Sequence, residues 1–151
     1  MDYIFDICLK NRAILSAYLE DLSLEELNKV PKGFNNNVFW NIAHVVVTQE
    51  LLVYTLSNLE GNINKQLIEK YRKGTKTEEN VTQIEVDEIK RLLFSTIEKT
   101  KEDYNNHVFK TYNEYTVSTK GVLRNVEDAL HFNNFHEGIH LGYILALKKS
   151  I

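Results

Sequence analysis

Apolar positions along the chain fall into four long segments with helical spacing, separated by polar, turn-forming stretches. In the first, about Tyr3 to Leu19, the residues Ile4, Ile7, Cys8, Ile14, Leu15, Tyr18 and Leu19 mostly follow steps of three and four. That spacing predicts a helix with one buried face. Ser23 and Glu26 then stand at capping-box spacing, which predicts a short helical turn stopped by Pro31 and Gly33. Asn35 to Asn37 offer N-cap side chains for a second long helix, predicted to run to about Ser57 and to end at Gly61 and Asn62. Trp40, His44, Val47, Leu51, Tyr54 and Thr55 share its broad face. The β-branched run Val45-Val46-Val47 lowers helix propensity slightly, a cost that burial can outweigh.

The connection over residues 60–82 contains Gly74 and a helix-compatible stretch at 64–73. Thr82 and Glu85 form a further candidate capping box, opening a third helix from roughly Ile84 to Tyr104. Its face carries Ile89, Leu92, Leu93, Thr96, Ile97 and Tyr104. Another long connection follows, in which only "YTV" reads as briefly extended. Asn125 is the predicted N-cap of a fourth helix that runs to about Lys148, with Glu127 and Asp128 complementing the dipole of its first turn. With no strand set in view, the expected fold is all-α: a four-helix bundle in one domain over residues 1–151. The long second and third connections predict that at least one crosses the bundle.

Composition narrows the partners. A net charge of -3 and a pI near 6.0 provide no basic field, so phosphate-driven binding of nucleic acid is not expected. No apolar run approaches membrane-spanning length, and the N-terminus lacks the pattern of a signal peptide. A cytoplasmic protein with no membrane partner is the expectation. The single cysteine, Cys8, excludes a disulfide within the chain. It lies on the apolar face of the first helix, where a structural thiol is the ordinary case.

The candidate chemistry lies in "NNFHEGIHLGY", residues 133–143. His136, Glu137 and His140 spell the H-E-x-x-H pattern of zinc proteases, and histidines four apart on a helix can grip one ion from successive turns. A protease also needs a third ligand, usually downstream. After His140 the chain "LGYILALKKSI" has no Glu, Asp, His or Cys, so the protease reading is disfavoured. A third ligand must lie upstream, and His44, on the apolar face of the second helix, is the best candidate. A buried imidazole needs a polar partner, and a metal shared with His136 and His140 would supply one. His131 is turned about 140° from His136 on the helix, and His107 lies in a polar loop. Glu137 is a candidate general base, or else a solvated or inter-helix acid. Trp40, Asn41 and Thr48 near His44, and Asn133 and Tyr143 near the other pair, are candidate second-layer or pocket residues.

The stretches "NNNVFWNIAHVVVTQELLVYTLSNLEG" and "DALHFNNFHEGIHLGYILALKK" resemble the DinB-like superfamily, which includes the YfiT-like thiol transferases. The former is similar to the family's W-x-x-x-H segment. The latter is similar to its final-helix H-x-x-x-H followed by a glycine, here Gly142. Where the family usually has Gln after that glycine, this chain has Tyr143. The resemblance implies a four-helix bundle with long crossovers and a homodimer. It also implies a divalent metal, zinc or nickel, on His44, His136 and His140. Three neutral imidazoles leave the ion's full charge and an open position. The expected activity is activation of a low-molecular-weight thiol, or of water, against a small electrophilic substrate, as a transferase or hydrolase. The alternatives are a non-catalytic metal-binding module and a helical interaction module.

Overall fold

The structure is a computed structural model that describes residues 1–151. Its elements are α1 (Asp2–Asp21), α2 (Leu24–Asn28), α3 (Val38–Val53), α4 (Lys65–Tyr71), α5 (Gln83–Asn105), β1 (Tyr115–Thr116), β2 (Val122–Leu123) and α6 (Val126–Lys148). The chain is therefore all-α apart from a two-stranded antiparallel hairpin. No helix is long and apolar enough to cross a membrane.

Local chemistry sets most helix starts. Both capping boxes form: Ser23 with Glu26 at α2, and Thr82 with Glu85 at α5. In each, a hydroxyl accepts from a free N–H while the Glu carboxylate accepts from the cap's own N–H. Asn37 caps α3 by accepting from Trp40 N at 2.7 Å, and Asn125 caps α6 by accepting from Asp128 N at 2.7 Å.

α3 is the central helix. Every residue in it is buried except Thr48 and Leu51, which are half-buried. A helix buried on all sides needs cover on all sides, and α2, α4, α5 and α6 all pack on it. This encasement explains how Val45, Val46 and Val47, all fully buried, sit in a helix despite their weak propensity. α3 ends earlier than predicted, at Val53. A 3₁₀ turn over Thr55–Ser57 follows and closes at Asn58 with φ 59°, a left-handed value that Asn tolerates. Gly61 and Asn62 do not end the helix but enclose Glu50. Asn62 N donates to Glu50 Oε2 at 2.6 Å, and a Cβ at Gly61 would lie 2.9 Å from that same oxygen.

α1 packs on α5 and α6, and α3 packs on the same two helices. No extended contact joins α1 to α3, or α5 to α6. The connections over 22–37 and 106–125 therefore each join helices that are not neighbours. The connection over 58–82, although long, joins helices in contact and uses its length to lay α4 along α3.

The core has two apolar clusters, one around Leu15, Val47, Leu93 and Ile144, the other around Cys8, Leu52, Ile97 and Leu130. On each of the four long helices a buried polar residue falls between the two: Arg12, Gln49, Thr96 and Glu137. Arg12 and Glu137 are 0% exposed and paired at 2.8 Å. On α1, Phe5, Cys8, Arg12, Leu15, Ser16 and Leu19 form the buried face, while Ile14, predicted on it, is 49% exposed. The correction has a simple cause: the true apolar stripe passes through Arg12, whose partner is on α6.

Candidate metal centre

α3 and α6 bring His44, His136 and His140 together, with one ligand atom from each lying within 4.8 Å of the others. The hydrogen bonds fix which nitrogen each ring can offer. His44 Nδ1 is 2.6 Å from the carbonyl oxygen of Tyr71, at the end of α4. A carbonyl only accepts, so Nδ1 carries the hydrogen and Nε2 keeps its lone pair. His140 Nδ1 is 2.8 Å from Asn41 Oδ1, and Asn41 Nδ2 donates at 2.8 Å to the carbonyl of Asn37. That carbonyl orients the Asn41 amide, whose oxygen then accepts from His140 Nδ1–H. The Nε2 lone pair of His140 is left free as well.

His140 Nε2 and His136 Nε2 face each other at 3.1 Å. Two nitrogens each about 2.0–2.1 Å from a tetrahedral ion would be about 3.3 Å apart, so the observed spacing suits one shared ion. His136 Nδ1 is buried without a partner. Burial, and to a smaller degree the neighbouring histidines, pushes the His136 pKa down to about 3 and that of His140 down to about 4. Burial lowers that of His44 too, against the opposing bond to Tyr71. All three rings are therefore neutral near pH 7, the form that binds a metal. This donor set fits a divalent ion of intermediate softness.

Packing holds the rings in place. Trp40 stacks on His44 with centroids 4.6 Å apart and 11° between planes, and it donates through Nε1 to Thr75 Oγ1 at 3.2 Å. Phe132, one turn before His136, lies against that ring at 6.3 Å and 27°. Thr48 Oγ1 lies 3.2 Å from His44 Nε2. A cavity of about 280 Å³ opens on His44 and His136 and is walled by Leu51, Leu52, Leu56, Val117 and Phe132.

Three of the candidate second-layer residues, Trp40, Asn41 and Thr48, touch the histidines. Asn133, Glu137 and Tyr143 do not. Tyr143 lies on the outer flank of α6, edge-on to Phe34 at 5.5 Å. Asn133 Nδ2 donates to Glu137 Oε1 at 2.8 Å, and Arg12 Nε donates to the same oxygen at 2.8 Å. Glu137 is thus an inter-helix acid: its Oε1 is committed to Arg12 and Asn133, its Oε2 is buried without a partner, and it does not line the cavity. The acid that a protease would need is absent from the site. Cys8 Sγ also lies in this buried polar layer, 3.4 Å from Glu137 Oε1. Burial and the carboxylate raise its pKa well above the usual thiol range, which favours the inert thiol form. His107 and His131 are exposed and apart from the cluster.

Sequence reasoning misses four contributors. Phe132 and Arg12 carry a signal, since each sits at helical spacing from a residue already singled out. Asn37 is visible as a cap, though its carbonyl's role on Asn41 is not. The Tyr71 carbonyl has no sequence signal, because any residue supplies one.

The chain belongs to the DinB superfamily, whose sequence profile matches residues 9–144. Comparison with curated proteins finds no match.

Proposed function

We propose that this protein is a metal-dependent enzyme that activates a small thiol, or water, against a small electrophilic substrate. The observation that carries the reading is the convergence of three neutral imidazoles beside an apolar cavity that opens on two of them. His44, His136 and His140 would hold a divalent ion, zinc or nickel, which would supply Lewis acidity to lower the pKa of a thiol or water nucleophile. The chain's own residues do the rest. Tyr71 and Asn41 hold two of the rings in the ligating tautomer. Thr48 Oγ1, at the cavity wall and 3.2 Å from His44 Nε2, would be released by a metal on that nitrogen and could then orient a bound nucleophile. Leu51, Leu52 and Phe132 keep water from the reacting atoms.

The same reading takes the four long helices as one bundle of the DinB and YfiT type with crossover connections, acting as a homodimer. Support for the dimer comes from α6, whose outer flank exposes Phe135, Ile139 and Tyr143 by 53%, 48% and 43%. Apolar side chains in such a row ordinarily find cover.

The activity is tested by loading the protein with zinc or nickel and following free-thiol loss for a panel of low-molecular-weight thiols and alkylating electrophiles, with ester hydrolysis as the water arm. Metal-dependent turnover that vanishes in His136→Ala is expected. Absence of turnover across both arms, with the metal bound, would make the site a non-catalytic one.

A further inference from the structure

The cavity beside the histidines has an unequal lining. Leu51, Leu52, Leu56, Val117 and Phe132 supply apolar wall, and no carboxylate faces in. The one lysine or arginine among its lining residues is Lys73, an exposed residue at the rim. Lys70 pairs with Glu85 at 2.7 Å and Arg72 with Glu69 at 2.9 Å, while Lys76 is unpaired but does not line this cavity. Lys73 takes part in no ion pair of the chain. Its position is also tied to the centre, since it stands two residues beyond Tyr71, whose carbonyl holds His44. At about 280 Å³ the cavity lies just below the usual span of ligand sites, about 300–1,000 Å³, which limits it to a small ligand.

We propose that the cavity receives a small, mainly apolar carboxylic acid, its hydrocarbon body against Leu51, Leu52 and Phe132 and its carboxylate on Lys73. This names the substrate class of the site proposed above and rests on that reading for its catalytic meaning. An apolar wall with one free cation discriminates by charge. A neutral analogue leaves Lys73 without a partner, and a cationic one meets it unfavourably. Carboxylate on Lys73 directs the other end of the molecule toward His44 and His136, where the reaction would occur.

The test is a titration of hexanoate, 1-hexanol and hexylammonium into ¹⁵N-labelled protein, followed by amide shifts of Leu56, Val117 and Phe132. It is run on zinc-loaded and on metal-stripped protein, so that a carboxylate binding an ion is separated from one binding Lys73. Hexanoate is expected to bind about fivefold tighter than 1-hexanol in both forms, the upper scale of one exposed charge pair, with hexylammonium weakest. In Lys73→Gln the preference should disappear, and in Lys73→Arg it should persist. Equal affinity for hexanoate and 1-hexanol in the metal-stripped protein, or a preference that survives Lys73→Gln, would overturn the proposal. Failure of the protein to take up zinc would count against the metal-enzyme reading alone, because the metal-stripped titration still decides the ligand class.

Discussion

Asn41 and His140, on different helices, are joined by a bond of 2.8 Å between Oδ1 and Nδ1. The Asn41 amide is in turn oriented by the carbonyl of Asn37, the residue that caps α3. The start of one helix therefore sets the proton position on a ring of another. Replacing Asn41 with Leu removes the acceptor and frees the ring. Outer partners of ligating histidines are worth about 10–100-fold in metal affinity. A loss of that order is expected for Asn41→Leu in a chelator competition assay, with helical circular dichroism retained.

The Arg12–Glu137 pair is fully buried, and Glu137 Oε2 has no partner. Breaking such a pair from one side leaves an unpaired charge in the core and costs about 3–5 kcal/mol. Arg12→Met alone should lower stability by that amount in urea unfolding. Arg12→Met combined with Glu137→Leu should recover most of the loss, since two apolar groups leave no stranded charge. If the double variant were no more stable than Arg12→Met, the single-variant loss would have a cause other than the stranded carboxylate.

Much of this architecture is legible in the chain. Capping residues such as Ser23, Thr82 and Asn125 act through neighbours three positions away, so their effect is local and readable. The apolar period locates all four long helices for the same reason. The hairpin at Tyr115–Leu123 gives only the faint extended signal of "YTV", because its strands have two residues each. They are closed by a turn in which Val117 N donates to the Gly121 carbonyl at 2.9 Å. Which side of α6 Glu137 faces depends on the helix's rotation against α1. In the fold Glu137 faces α1, where Arg12, a residue more than a hundred positions away in sequence, donates to it.

Acidification should destabilise the metal-free protein. The histidine pKa values are depressed in the fold, to about 3 for His136 and about 4 for His140, against an unfolded value near 6.5. Through these two rings the unfolded chain binds more protons than the native one below about pH 6.5, so their contribution to stability falls as pH falls and goes on falling toward pH 4. Each fully depressed ring contributes up to about 1.4 kcal/mol per pH unit. Urea midpoints of chelator-treated protein between about pH 7.5 and about pH 4.5 should show the decline. A variant with His136→Phe and His140→Phe should show a shallower one.

The exposed row on α6 makes a prediction about assembly. Ile139, at 48% exposed, is near its middle. Light scattering on wild-type protein should give a dimer mass, and Ile139→Lys should give a monomer with the same helical content. A wild-type monomer at high concentration would rule out the dimer.

Metal stoichiometry in tag-free protein tests the three-histidine centre most directly. Wild-type protein equilibrated with zinc and passed through a desalting column is expected to retain one ion per chain. His44→Ala should retain none at the same concentration while keeping its helical circular dichroism. Full retention by His44→Ala, or no retention by the wild type, would contradict a centre formed by His44, His136 and His140.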